Sequence, residues 1–377
     1  MKKLFLRNPL ILAAALMIAA CSNNSGPGAG DSFDRAALLL RYADSIIIPA
    51  FSRANSHAAA LEGAVESFCT APDEQSLAAA QTAWKSAYLE WQAAVAFNFG
   101  PGETLYGTLL ENIGTFPIRI SAGTGADSAK KGIEDYISAG DYLFQNFARD
   151  TRGFLAADYL LFSDNSAETV LKFSGAAGKN RREYLRAVAR DIAKKLNEAA
   201  GGWQGYKSEF IAKKGTDAGS SISLLFNHLN VSYELIKNYK VGLPAGKRAG
   251  QTATEPTKTE AYYSGISLAC IRRHFAAVQG IWYGTGSGGA DGVGFEEYLA
   301  AVRGGKELAE EIRRHFAEIN DALAQLPENA RLSDEILQNF AKVEALHTAL
   351  QKCTRFLKSD MSSLLGISIT YSSNDGD

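Results

Sequence analysis

Apolar residues recur along most of the chain at the three- and four-residue spacings that are typical of amphipathic helices. The clearest seams are Leu308, Ile312, Phe316, Ile319, Leu323 and Leu326; Ile336, Phe340, Val343, His347 and Leu350; Leu268, Ile271, Phe275, Val278 and Trp282; and Tyr184, Val188, Ile192 and Leu196. A further helix is predicted over 75–97, with Trp84, Tyr88, Trp91 and Val95 as an aromatic stripe.

Glycine-rich segments separate these stretches, and strand patterns are scarce. The loops fall at 121–125, 174–178, 201–205, 215–220, 242–250 and 284–294. Only residues 367–371 alternate between apolar and polar, and that run is short. The pattern therefore predicts an all-α fold built from helical bundles.

A faint internal repeat suggests how the helices are grouped. Residues 153–160 echo residues 292–299, and each copy follows a helix that ends in an aromatic residue and a glycine, Phe99-Gly100 and Tyr283-Gly284. We therefore expect two bundle domains related by a pseudo-twofold axis. The first, over 33–215, carries an insertion, and the second covers 216–377.

The first residues have the features of an export signal. Lys2, Lys3 and Arg7 precede an apolar run over 10–20, which is too short to span a bilayer as a helix. Ala19-Ala20-Cys21 resembles the lipobox of bacterial lipoproteins. We expect a signal peptide over 1–20, acylation of Cys21, and a flexible tether over 21–32. The predicted location is the cell envelope, most simply the outer membrane, and the protein could be displayed on either the periplasmic or the outer face of that membrane. The predicted partners are the lipid membrane, through the acyl chains on Cys21, and envelope uptake proteins.

Composition narrows the classes of partner. The hydrophobic share of 46% allows a large core, and the net charge of −2 argues against a nucleic-acid partner. Cys69, Cys270 and Cys353 follow Cys21 and lie in helical patterns, so we interpret them as buried apolar residues. A Cys270–Cys353 disulfide is the alternative.

Candidate metal and cofactor motifs are few. His274, His315 and His347 lie on or beside three apolar seams and could converge on a metal; the simpler interpretation is three partly buried, hydrogen-bonded histidines. Gly284, Gly286 and Gly289 have the spacing of a dinucleotide loop, but a helix precedes them where that motif needs a strand. Glu296-Glu297 and Glu310-Glu311 are expected on exposed faces.

Several segments resemble imelysin-type proteins, including the imelysin-like lipoproteins of Bacteroidetes. They are Trp84 to Trp91, Phe97-Asn-Phe-Gly100-Pro101, Phe116-Pro117, Gly153-Phe154 with Tyr159 to Phe162, Lys237 to Gly246, Glu260 to Ser267, and the ending from Leu365. The resemblance implies two helical bundles with a site in the crevice between them. The family is named for an insulin-cleaving metallopeptidase, and several members are linked to iron acquisition.

The family signature, G-x-H-x-x-E, is altered in this chain. It falls on Gly153 to Asp158, with Leu155 at the histidine position and Asp158 at the glutamate position. Residues three apart share a helix face, so the family pair could grip one ion, but leucine offers no lone pair. We expect no tight zinc site; iron or another metal stays open as a cofactor. Whether the chain is an enzyme also stays open, and the altered motif favours a non-catalytic role.

Three functions follow from these observations. The first is a non-catalytic lipoprotein that binds a ligand or metal and is associated with iron or haem uptake. The alternatives are an imelysin-type metallopeptidase and a structural, partner-docking lipoprotein. The predicted crevice residues are Asp158, Tyr159, Glu260, Tyr263, Ser264 and Ser267. Glu260, Ser264 and Ser267 are expected on one helix face.

Overall fold

The computed structural model describes residues 33–104, 107–122, 130–144, 148–286, 289 and 292–371. The signal peptide, Cys21 and the tether lie outside these residues. Within them the chain is all-α apart from one short antiparallel pair, β1 (Glu103–Thr104) and β2 (Gly107–Thr108). The described residues include no helix that combines the length and the apolar character needed to cross a bilayer.

The N-terminal part of the chain is organised around three long helices that pack together. Its helices are α1 (Arg35–Arg41), α2 (Ile48–Thr70), α3 (Glu74–Ala94), α4 (Leu109–Ile113), α5 (Ile133–Ala139), α6 (Phe154–Phe162), α7 (Ser166–Phe173) and α8 (Lys179–Ala212). Helix α2 packs along both α3 and α8. Helix α3 begins at a capping box between Asp73 and Ser76, which satisfies two backbone donors of its first turn.

The C-terminal part contains a second set of packed helices. They are α9 (Ser221–Glu234), α10 (Ser267–Tyr283), α11 (Phe295–Ala300), α12 (Gly305–Ala324), α13 (Leu332–Gln338), α14 (Phe340–Arg355) and α15 (Met361–Leu365). Along the described ranges of the whole chain, three segments have π-helical hydrogen bonding, namely Tyr42–Ile47, Leu235–Gly242 and Phe356–Asp360. The extra residue in such a turn shifts the side chains that follow it, and Lys240 lies in one of them.

One continuous core joins the two parts of the chain. The predicted seams are buried, including Ile312 and Phe316 on α12 and Trp84 and Trp91 on α3. Helix α10 lies along α3, so the core continues across this contact. The observed α3 helix ends at Ala94 and continues as a 3₁₀ turn to Phe97, close to the predicted end.

A few local predictions were wrong. Glu296 is buried on α11, where Arg313 on α12 pairs with its carboxylate and makes that burial tolerable. Helix α10 begins only at Ser267, so Glu260 and Ser264 lie in the turns before it and not on a helix face. The turn includes Ala261 at a φ of 51° and Gly265 at 74°, which breaks the helical path.

All three cysteines that follow Cys21 are buried free thiols, as expected. Cys270 and Cys353 therefore do not pair. Burial raises the pKa of each of these thiols, which keeps them protonated and unreactive.

Candidate functional site

Asp158 links the two parts of the chain. It lies on α6 and is buried, and its two carboxylate oxygens accept hydrogen bonds from the backbone amides of Tyr263 and Ser264, at 3.2 and 3.0 Å. Burial raises the pKa of Asp158 to about 6, while these hydrogen bonds act in the opposite direction. Both oxygens are therefore already used within the protein.

The start of α6 depends on a glycine. Gly153 has a φ of 78° and a ψ of −166°, a region that side-chain-bearing residues rarely enter. A Cβ atom there would lie 2.4 Å from the carbonyl oxygen of Ile113. This gives a physical reason for the glycine that opens the signature segment.

Three tyrosines next to Asp158 or its hydrogen-bond partners pack against one another. The ring of Tyr159 packs edge-on against that of Tyr263, with centroids 5.4 Å apart. The Tyr159 hydroxyl donates to Glu134 at 2.6 Å. Tyr263 in turn packs against Tyr262, whose carbonyl oxygen accepts from Arg331.

Glu260 belongs to a second buried polar group. Tyr88 on α3 donates its hydroxyl to Glu260 at 2.7 Å, and Lys240 lies 3.0 Å from the other carboxylate oxygen. Burial raises the pKa of the Tyr88 hydroxyl, and the neighbouring Glu260 charge raises it further, so Tyr88 acts as a donor. The Ser267 hydroxyl donates to the backbone carbonyl of Glu260 and holds its turn against α10.

Lys240 extends this group to Gln92. Its ammonium donates to the amide oxygen of Gln92 at 2.5 Å, and both side chains are almost completely buried. An ammonium can only donate, so the Gln92 oxygen faces Lys240 and its nitrogen faces the other way. Within the described ranges, that nitrogen has no hydrogen-bond acceptor.

A cavity of about 710 Å³ opens above Gln92, Lys240 and Glu260. We call it the crevice cavity, because its walls come from both parts of the chain. Most of its surface is apolar, and the apolar wall includes Trp91, Val95, Leu110, Phe116, Val231 and Leu235. Glu111, Arg149, Glu234 and Tyr371 are among its polar residues. Its volume is within the range that encloses a small organic molecule.

The six predicted crevice residues therefore fall into two neighbouring groups. Asp158, Tyr159, Tyr263 and Ser264 form one, while Glu260 and Ser267 belong to the other. Only Glu260 reaches the crevice cavity. Tyr88, Gln92 and Lys240 were missed as site residues. Gln92 could have been noticed as a polar residue four positions after Tyr88 on the aromatic face of α3.

The predicted histidine group does not assemble. His274 is fully buried without a hydrogen bond to either ring nitrogen from the part of the chain described, so the expected hydrogen-bonded histidine is wrong there. His315 stacks on Phe356 and contacts Glu318, whereas His347 lies beside Gly242. Across the described ranges, no three histidine, cysteine or acidic side chains are placed to hold a metal ion.

The signature segment does not fit the zinc site that the family name implies. Leu155 is buried and has no donor atom, and the oxygens of Asp158 are occupied by two backbone amides. Gly284 of the glycine-rich segment ends α10 in the left-handed conformation, so it serves as a helix cap and does not open a phosphate-binding helix.

The helices and their buried central contacts define an all-α protein with the imelysin-like fold. The structure superimposes on that of an imelysin-like protein from Psychrobacter arcticum with a TM-score of 0.67, at 20% identity over 89% of this chain and 97% of that chain. The family model Peptidase_M75, Imelysin, matches residues 47–358, and the chain belongs to this family.

Two further relatives carry names that refer to iron. The chain is 23% identical over 301 residues to "Iron-regulated protein A" of Synechococcus elongatus, covering 76% of this chain and 74% of that protein. A crystal structure described as an iron-regulated protein A precursor, from Parabacteroides distasonis, matches with a TM-score of 0.68 and 18% identity, over 88% of this chain and 95% of that chain.

Proposed function

We propose that this protein is an envelope lipoprotein that binds a ligand in the crevice cavity and serves iron or haem uptake without catalysing a reaction. The observation that carries the proposal is the crevice cavity itself, a chamber whose surface is mostly apolar and which polar and charged side chains also line. Binding sites for small organic molecules have this composition. The link to iron rests on the names of two relatives.

A peptidase function has less support in the residues of the signature segment. A catalytic zinc normally takes three protein ligands and one water. Leu155 cannot ligate, and Asp158 would have to give up two backbone amides, which would then be buried without an acceptor. We therefore derive no metal-dependent step from this segment.

The test fills the crevice cavity and measures iron-dependent growth. Val231 is half-buried on its wall, and Val231→Trp places an indole there. The matched control is Leu171→Trp, at a residue on α7 that is 75% exposed and does not line the cavity. In cells that lack the chromosomal copy, we expect wild type and Leu171→Trp to restore growth on limiting iron or haem, and Val231→Trp to fail.

Mass spectrometry of small molecules released from the purified full chain provides a direct readout. We expect a molecule that is released from wild type and Leu171→Trp and is absent from Val231→Trp. If Val231→Trp restores growth and releases the same molecules as wild type, the ligand-binding function is wrong and a structural or docking role is favoured.

A further inference from the structure

The charges around the crevice cavity cancel in pairs. Glu111 on α4 pairs with Arg149 at 2.7 Å, and both side chains line the cavity. At the floor, Glu260 pairs with Lys240 at 3.0 Å. Each lining carboxylate of these two pairs thus has a cationic partner from the cavity wall itself.

Glu234, the third lining carboxylate, is compensated from outside the wall. It pairs with Lys358 at 3.0 Å and accepts a hydrogen bond from the Tyr371 hydroxyl at 3.1 Å. An ion that entered the cavity would lose its hydration and would find no uncompensated opposite charge among the described lining residues. Desolvation without such compensation is unfavourable for a metal ion and for an organic anion alike.

The floor of the cavity favours an oxygen acceptor. Gln92 holds its oxygen toward Lys240, so its NH₂ group is a donor that lacks an acceptor in the described part of the chain. The Lys240 charge polarises the amide and strengthens that donor. The nitrogen is buried beneath the cavity surface, so a carbonyl, ether or hydroxyl oxygen on a ligand supplies the hydrogen bond once the amide turns toward the cavity.

We infer that the crevice cavity takes an uncharged amphipathic organic molecule, with an apolar body against the wall and an oxygen acceptor directed to Gln92. This inference rests on the proposed ligand-binding function and names the chemical class of the ligand. Free metal ions and organic anions, among them haem with its two propionates, are the classes it excludes, so iron would enter this cavity only within an uncharged organic complex.

Two fluorescent probes test the inference on the purified full chain. Nile red is uncharged and has a carbonyl oxygen, and anilinonaphthalene sulfonate is an apolar anion. Only the binding that Val231→Trp removes and Leu171→Trp retains is assigned to the cavity. We expect wild type to bind Nile red more tightly than the anion at this site.

Glu111→Gln then changes the charge balance. Glutamine can still complete the capping box with Thr108, so α4 is retained, while Arg149 loses the carboxylate that faces it. We expect affinity for the anionic probe to rise about fivefold, the effect of about one kcal/mol at a partly exposed site, with Nile red unchanged. The control is Glu66→Gln, which makes the same charge change at an exposed pair with Arg186 away from the cavity.

Gln92→Met tests the acceptor. We expect Nile red to bind about three- to tenfold more weakly, the cost of one neutral hydrogen bond, and its emission to move to shorter wavelength because its carbonyl loses a donor. The control is Gln81→Met on the same helix, whose amide donates to Leu161 outside the cavity. Gln92→Asn serves as a second variant. Asparagine keeps the amide group, but its side chain is one methylene shorter and holds the amide farther from the ligand, so this variant should also bind Nile red more weakly.

The results separate the inference from the proposed function. If Val231→Trp affects neither probe, the ligand-binding function fails together with the inference. If cavity binding is present but the anion binds more tightly, or Glu111→Gln leaves it unchanged, the uncharged class is wrong. Unchanged Nile red affinity and emission in Gln92→Met would overturn the acceptor assignment.

Discussion

At the scale of single residues, the sequence allowed two of the buried polar site residues to be predicted and two others to be missed. Asp158 and Glu260 stand in segments with a family resemblance, and both are buried polar residues at the contact between the two parts of the chain. Gln92 lies outside those segments, and Lys240 lies within one of them, Lys237 to Gly246, but its spacing gave no sign of a role in the site. Their pairing joins α3 to a π-helical turn far along the chain, and helical periodicity does not register such a turn.

The titration of Asp158 gives a prediction for stability against pH. Burial raises its pKa from 3.8 to about 6, so between these values the folded chain holds a proton that the unfolded chain releases. Stability therefore falls as the pH rises through this window. We expect the unfolding free energy of wild type, relative to Asp158→Asn, to increase as the pH is lowered from about 6 to about 4, by at most about 1.4 kcal/mol per pH unit.

Urea denaturation at several pH values measures this difference. The control is Asp164→Asn just beyond the end of α6, where Lys172 donates to the carboxylate and lowers the pKa of Asp164. The ion pair of Asp164 stabilises the folded chain at pH values above the pKa that Asp164 has in the unfolded chain, and this stabilisation is lost only as the pH falls below that value. The difference in unfolding free energy between wild type and Asp164→Asn should therefore not increase as the pH is lowered from about 6 to about 4. An equal slope for both variants would contradict the assignment to Asp158.

At the scale of elements, periodicity predicted the long helices well and the turns poorly. The seams on α8, α10, α12 and α14 are buried as expected, because burial of an apolar face is what their spacing encodes. The turn before α10 was misassigned as helix. The backbone of this turn has positive φ at Ala261 and Gly265. It is also held by the contacts of Glu260 with Lys240 and of Asp158 with Ser264, and such long-range contacts leave no periodic pattern in the local sequence.

Gly153 provides a test of how α6 is positioned. Gly153→Ala would force a side chain into a glycine conformation and against the carbonyl of Ile113. We expect a loss of about 3 kcal/mol or more in unfolding free energy. Thermal and urea denaturation provide the measurement.

Gly175→Ala is the matched control, because Gly175 also has a positive φ of 60° but a Cβ there would meet no atom within 4 Å. It should lose only about 1 kcal/mol, the cost of the backbone conformation alone. Similar losses at both positions would show that contact with Ile113 does not matter.

At the scale of the whole molecule, the all-α class and the family resemblance were confirmed. The pseudo-twofold repeat and the boundary near residue 215 stay predictions. The packing of α3 against α10 and the single continuous core could not be predicted, because seam periodicity identifies the buried face of a helix but not its partner.

Membrane anchoring is the prediction that belongs to the whole chain. Cys21→Ser removes the thiol that we propose to carry the lipid, so the variant should lose labelling by a fatty-acid probe and leave the membrane fraction. Cys69→Ser, at a buried thiol, should remain labelled. A labelled Cys21→Ser protein would contradict the proposed anchor.

The crevice cavity is assembled from residues between Trp91 and Tyr371, and this has a consequence for folding. Its walls are complete only after contacts of very long sequence separation have formed, and such contacts are slow to close. A ligand that binds only this finished cavity stabilises the entire chain by mass action. Bound ligand in the cavity would therefore mark fully folded molecules. Partly folded molecules, in which the last helices have not yet packed, would not hold the ligand.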